Sequence, residues 1–261
     1  MRVGYKSMQA ESEAESVYFD AGLDDEMSMG KSESYGQMVW RRFKQHKLAM
    51  AGLYFLIFMY LVAIFAPLIA TQSYRETMPP ERLQGISQEH LMGTDHLGRD
   101  VFSRVVWGSR ISLSIGFVAA GVSVLLGTVV GAVAGYYGGK IDNVLMRITE
   151  AVMSFPTFFL LITIVSVVER NIFNIMLVIG LTSWPSLARM VRGQFLSLRE
   201  QEFVTAAKAL GASDARIIFK HILPNAMAPV IVSATLKIGG AILSESSLSF
   251  LGLGVPEPFP S

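Results

Sequence analysis

Two long runs without a charged side chain constrain this sequence most: residues 48–70, 23 in number, and residues 111–139, 29 in number. A helix rises about 1.5 Å per residue, so about 20 apolar residues cross a hydrocarbon core of about 30 Å. Each run is long enough to span a membrane. Three further stretches, 151–168, 171–188 and 226–251, bring the expected number of spans to five. Only 16% of residues are charged, against about 25% in soluble domains, and mean hydropathy is +0.44. The 23 glycines fit helices packed in lipid. A net charge of +1 argues against a strongly basic nucleic-acid binder, and the lack of cysteine excludes disulfide scaffolds, iron–sulfur clusters and Cys-ligated zinc. The expected fold is all-α, a polytopic membrane helical bundle.

The segments between the runs set the organisation. Residues 1–36 carry eight acids against Arg2, Lys6 and Lys31, with few apolar side chains to offset the entropy of ordering, so they read as an acidic disordered tail. Residues 37–75 hold a basic amphipathic stretch, Trp40-Arg41-Arg42-Phe43-Lys44-Gln45-His46-Lys47, and then the first span. That stretch suits an interfacial helix held against anionic headgroups. Residues 76–110 form a polar loop, and residues 111–261 the core, with a charged segment at about 189–224. The short Glu169-Arg170-Asn171 link makes the third and fourth spans a tight hairpin. With the N-terminus inside, the inner segments carry twelve Lys and Arg and the outer ones six, which favours a cytoplasmic N-terminus and an extracytoplasmic 76–110 loop.

Ala119, Ser123, Gly127, Gly131 and Gly135 recur every four residues. They place small side chains on one helix face, where a second backbone can approach closely; a ligand groove is the other reading. No catalytic constellation is evident. His46, His90, His96 and His221 are scattered, and Gly30-Lys31-Ser32 lacks both the leading glycine and the strand–loop–helix setting of a phosphate-binding loop. Any nucleotide-driven motor is therefore expected on another chain.

Residues 202–224 are the informative segment. They read as a short Ala-rich helix, a turn at Gly211, and a second helix capped by Ser213 or Asp214 and ended by Pro224, with Ala206 and Ala207 as an exposed small face. Such a knob suits a pocket on a partner; an ordinary solvated loop is the alternative. The segment resembles the coupling-loop signature of ATP-binding cassette importer permeases: Glu-Ala-Ala, three residues, Gly, nine residues, Ile, any residue, Leu-Pro. Ala206, Ala207, Gly211, Leu223 and Pro224 match, while Thr205 replaces the Glu and His221 the Ile. Glu202 lies one turn before Thr205 and can substitute for the missing acid.

Residues 91–104 resemble the Leu-Gly-Thr-Asp, Gly-Arg-Asp, Ser-Arg pattern of the peptide and nickel importers, through Gly93, Thr94, Asp95, Gly98, Arg99, Asp100, Ser103 and Arg104. Further matches are Gly108-Ser109-Arg110-Ile111-Ser112-Leu113, Gly135-Tyr136-Tyr137-Gly138-Gly139-Lys140-Ile141-Asp142, Phe155-Pro156 and Ser249-Phe250-Leu251-Gly252-Leu253-Gly254. The resemblance covers about residue 38 to the end and is nearest to the second permease of an oligopeptide or dipeptide importer. It implies a non-catalytic permease in the cytoplasmic membrane, paired with a second permease subunit and fed by an external substrate-binding protein. Two cytoplasmic ATPase subunits would bind ATP and magnesium, with no cofactor in this chain. Thr205, Ala206, Ala207, Gly211, Asp214, Leu223 and Pro224 would carry coupling. Family members have a sixth span after the Leu-Gly-Leu-Gly segment, so one is expected beyond Ser261.

Physical readings of two further groups stand beside this. Asp95, Arg99, Asp100 and Arg104 are spaced to pair along one helix face, as a ledge at the outer mouth or as a contact for the binding protein. Lys237 and Glu245 are the charges within the fifth span. A cation there costs at least about 2.5–3.5 kcal/mol if it faces lipid, so Lys237 is expected to line a translocation path or to pair with an acid of the partner permease. The cargo stays open between peptides, nickel chelates and antimicrobial peptides. An intramembrane peptidase would need a nucleophile, metal pair or acid pair that the sequence does not offer. A self-contained secondary carrier would show an internal repeat, and none is seen.

Overall fold

The computed structural model describes residues 35–261, so the expected acidic tail lies almost wholly outside the described residues. These residues form helices and connecting loops, without a strand. The described chain divides into two units, one ending at Ile57 and one of residues 58–261.

In the first unit, α1 (Tyr35–Gln45) is amphipathic, with Trp40 stacked on Phe43 at 5.8 Å and the Lys44 ammonium 5.3 Å from the Trp40 ring centroid. Helix α2 (Lys47–Ile64) carries the first span. It breaks at Phe65, and α3 (Ala66–Ile69) restarts with Pro67 in its first turn, where the missing N–H costs nothing.

The second unit is built around α4 (Val101–Tyr137) and α7 (Ile172–Arg199), which run along one another. At 37 residues α4 is about 55 Å long, well beyond the thickness of a bilayer core. It begins ten residues before the uncharged run. Asp100 caps it by accepting the Ser103 N–H at 2.7 Å, and Arg104 and Arg110 ride on its projecting end. The expected loop therefore ends at Asp100 rather than at residue 110.

The small-residue row of α4 faces α7, as the packing reading requires. A Cβ on Gly131 would collide with the Ala188 carbonyl oxygen, and one on Gly135 would fall 2.6 Å from Phe195 Cβ. A side chain on either glycine would drive the helices apart.

The third span is not one helix. Helix α5 (Gly139–Met153) and α6 (Thr157–Val167) meet at 82°, broken at the residue before Pro156, which disfavours helical backbone. Helix α7 runs through Pro185 to Arg199, so the start of the expected charged loop is instead helix. The knob follows as α8 (Glu202–Ala209), a turn, and α9 (Asp214–Arg216). A π-helical segment (Ile217–Ile222) then leads directly into α10 (Leu223–Phe250). Pro224 thus opens a helix instead of closing one. The Leu223 N–H reaches back to the Ile218 carbonyl, and this wider turn makes room for a proline in the first turn of α10.

Four helices are long and apolar enough to cross a membrane, or five counting the bent α5–α6 pair, among the described residues. That matches the expected all-helical polytopic bundle.

Candidate functional site

At one end of the bundle, the knob is fixed by backbone chemistry. Helix α8 closes with Gly211 N–H on the Lys208 carbonyl (2.9 Å) and Ala212 N–H on the Ala207 carbonyl (3.0 Å), a two-bond closure that needs a left-handed residue. Gly211 supplies it at φ +77°. Ser213 stands at the cap position of α9 but makes no side-chain cap bond. Asp214 instead accepts the Tyr136 phenol at 2.7 Å. Arg199 donates to the Tyr136 carbonyl at 3.0 Å, and the Lys208 ammonium lies 5.8 Å from the Tyr136 ring. The ends of α4, α7 and the knob are thereby tied together.

The knob's small face differs from expectation. Ala206 is exposed, but Ala207 is buried with Tyr136, Phe195, Val204, Ile217 and Ile222. The residues that the knob presents outward include Thr205, Ala206 and Leu210, the last 89% exposed. Leu223 packs against the same cluster at the start of α10, Pro224 is exposed, and the Thr205 hydroxyl returns to the Gln201 carbonyl at 3.4 Å.

At the opposite end of α4, residues 95–100 of the motif form a folded loop and residues 101–104 the first turn of α4, so of the four ledge residues only Arg104 lies on a helix. The Asp95 carboxylate accepts the Leu97 and Arg99 N–H groups (2.8 and 3.0 Å) and the Arg99 guanidinium (2.7 Å). Arg99, itself buried, also reaches Glu257 at 2.8 Å, and Arg104 donates to the Tyr74 carbonyl at 3.3 Å. Gly98 is required because a Cβ there would overlap the Met78 carbonyl oxygen. Asp100 bonds His90 Nδ1 at 3.0 Å, and Glu81 lies 3.3 Å from Nε2. The Asp100 bond, with the nearby charge of Asp100 and Glu81, raises the His90 pKa against the opposing effect of burial. For Asp100, burial pushes the carboxyl up, but the Ser103 and His90 hydrogen bonds outweigh it and hold it below the usual range.

Midway along the bundle, the Lys237 ammonium donates to the Ser183 carbonyl (2.5 Å) and to Ser186 Oγ (3.3 Å). Glu245 is wholly buried, with one oxygen accepting the Ser249 hydroxyl at 2.6 Å and the other unpartnered. The two charges do not meet. Sequence reasoning also missed three partners: Tyr136, Glu257 and the Asp142 carboxylate that grips Arg192 at 2.5 and 2.6 Å. Tyr136 and Asp142 sit in a motif already singled out, yet no local pattern names partners 78 and 50 residues away.

A helical membrane bundle with a knob of this signature defines an importer permease, and the comparisons agree. The chain belongs to the family of binding-protein-dependent transport system inner membrane components, which its residues 127–258 match. Residues 34–85 match the N-terminal transmembrane domain of oligopeptide transport permease C. Among its relatives, the dipeptide transport system permease protein DppC of Alkalihalophilus pseudofirmus is 47% identical over 85% of this chain and 73% of that protein. The oligopeptide transport system permease protein OppC of Bacillus subtilis is 41% identical over 91% of this chain and 78% of its own length. The glutathione transport system permease protein GsiD of Escherichia coli is 41% identical over 85% and 73%. In fold, the chain is similar to an inward-facing MetNI methionine ABC transporter chain, with a TM-score of 0.50 and 21% identity over 58% of this chain and 76% of that one.

Proposed function

We propose that this chain is the second permease subunit of an ATP-driven importer that carries dipeptides or oligopeptides across the cytoplasmic membrane. The observation that carries the reading is the knob, a rigid two-helix projection braced by Tyr136 and Asp214 and offering Thr205, Ala206 and Leu210 outward. The names of the relatives supply the cargo class. A second permease completes the pore, and two ATPases that bind ATP and magnesium engage the knob from the cytoplasm. An external binding protein delivers substrate to the end bearing residues 95–104. The N-terminus is then cytoplasmic, in line with the excess of Lys and Arg on that side. As the ATPases close and open, the knob moves as a lever and the two permeases alternate access, a rigid-body switch. Lys237 and Glu245 belong to the translocation path in this scheme.

Growth of an amino-acid auxotroph on a peptide as sole source of that amino acid tests the reading. Deleting the gene should abolish growth on di- or oligopeptides, and this chain supplied in trans should restore it. Unchanged growth of the deletion strain on all such peptides, in a host with no second peptide importer, would refute the assignment.

A further inference from the structure

Two open cavities lie along the face made by α5 and α7, the smaller also bordered by α6 and α10. One, of about 240 Å³, is lined by Met153, Thr157, Thr182, Ser183, Ser186 and Lys237. The other, of about 780 Å³, is lined by Asn143, Arg147, Glu150, Arg189 and Arg192. Their walls are three residues apart on both shared helices: Ser186 and Arg189 on α7, Glu150 and Met153 on α5. Residues three apart are neighbours on a helix surface, so the cavities adjoin.

Each cavity holds one uncompensated cation. Lys237 has three N–H donors, and its partners are the neutral oxygens of Ser183 and Ser186. No carboxylate lies within ion-pair distance of it among the described residues. In the second cavity Arg192 is gripped by Asp142, and Arg147 lies 3.4 Å from Glu150. Arg189 is exposed and has no acid partner among the described residues. Three residues of helix separate Ser186 from Arg189, a rise of about 4.5 Å. A carboxylate would replace neutral oxygens around either cation with a charge-assisted bond, which is shorter and roughly twice as strong.

We infer that this face is a two-stage carboxylate track, on which Lys237 and then Arg189 receive the free carboxylate of a passing peptide. The inference rests on the importer reading and adds to it a substrate feature: a free C-terminal or side-chain carboxyl. Two cations spaced along the path let a carboxylate leave one as it meets the next, so neither holds it too tightly for release.

The chain has no cysteine, so Thr157→Cys and Val144→Cys each give it a single thiol, one in each cavity, whose labelling is read on this subunit's band. The assembled complex is labelled with an anionic sulfonatoethyl and a cationic trimethylammonium methanethiosulfonate, and rates are normalised to a free thiol. The anionic reagent should react at least threefold faster in both variants. Adding Lys237→Gln should remove the preference at the Thr157→Cys thiol, with Lys237→Arg retaining it, and Arg189→Gln should remove it at the Val144→Cys thiol. Trialanine should slow labelling of the Thr157→Cys variant, and trialanine amide should not. Equal rates for the two reagents, a thiol that neither reaches, equal protection by acid and amide, or dissociation of the Lys237→Gln complex would each overturn the track. Import of trialanine by the unsubstituted complex is scored separately: import without charge preference faults the track alone, and charge preference without import faults the importer reading.

Discussion

The Tyr136 phenol donates to the Asp214 carboxylate at 2.7 Å, joining the end of α4 to the first residue of α9, beyond the knob's turn. The bond spans 78 residues of sequence and fixes the knob to the longest helix of the bundle. Tyr136→Phe keeps the ring among Phe195, Val204 and Ile217 but removes the donor. A hydrogen bond to a charged group contributes about 1.5–3 kcal/mol, so the variant should melt at a lower temperature in detergent and transport more slowly. Calorimetry and peptide uptake on the same preparation check this; an unchanged melting temperature would show that the bond contributes nothing.

Gly211 and Ala207 separate folding from docking. Nothing lies within 4 Å of a Cβ built on Gly211, so Gly211→Ala carries only the left-handed backbone cost of about 1–2 kcal/mol. Ala207→Arg would bury a cation in an apolar cluster and should leave little folded protein in the membrane. Membrane yield and protease resistance of the two variants report the difference. Equal yields would contradict the burial of Ala207.

The outer loop should be sensitive to pH through His90. Its pKa is raised by the Asp100 hydrogen bond, so the stability it contributes is fully present below its ordinary value of 6.5 and is lost as pH rises through the higher folded value. Asp100, with its carboxyl held low, acts in the opposite sense and loses its contribution only as pH falls well into the acid range. As pH rises from 6.5 through the higher folded value of His90, the unsubstituted protein should therefore lose stability that His90→Gln, already lower, does not. Melting curves of both proteins across that window decide it, and parallel profiles would remove His90 from the account.

Orientation is testable with the single-thiol variants Gln88→Cys and Ser213→Cys, whose positions are both exposed and at opposite ends of the bundle. A membrane-impermeant maleimide applied to intact cells should label the Gln88→Cys protein and not the Ser213→Cys protein. Labelling of both from outside would contradict the topology.

Much of this arrangement was legible in the residues themselves. The uncharged runs located the spans, the row from Ala119 to Gly135 identified the packed face of α4, and Gly211 marked the knob's turn. Charge misled at the start of α4, because Arg104 and Arg110 read as loop while their helix simply extends past the apolar run. There Arg104 bonds the Tyr74 carbonyl, and the Arg110 guanidinium lies 5.6 Å from the Trp107 ring. Pro224 read as a stop because a proline in the first turn of a helix and one just past its end look alike in sequence. Adjacent alanines in α8 carry no sign of which one faces the core; only the fold assigns Ala207 inward and Ala206 outward.

The central claim is that the exposed knob surface transmits ATP hydrolysis to peptide movement. It is tested most directly by Ala206→Arg and Leu210→Asp, substitutions at exposed positions that leave the core intact. Both should be measured in the complete complex in lipid nanodiscs, with partner permease, ATPases and peptide-loaded binding protein. The measurement is ATP hydrolysis with and without the loaded binding protein, alongside peptide uptake by cells carrying the same variant. The expected result is a complex whose hydrolysis no longer rises with loaded binding protein and whose uptake falls at least tenfold. Full stimulation and full uptake in both variants would contradict coupling through this knob.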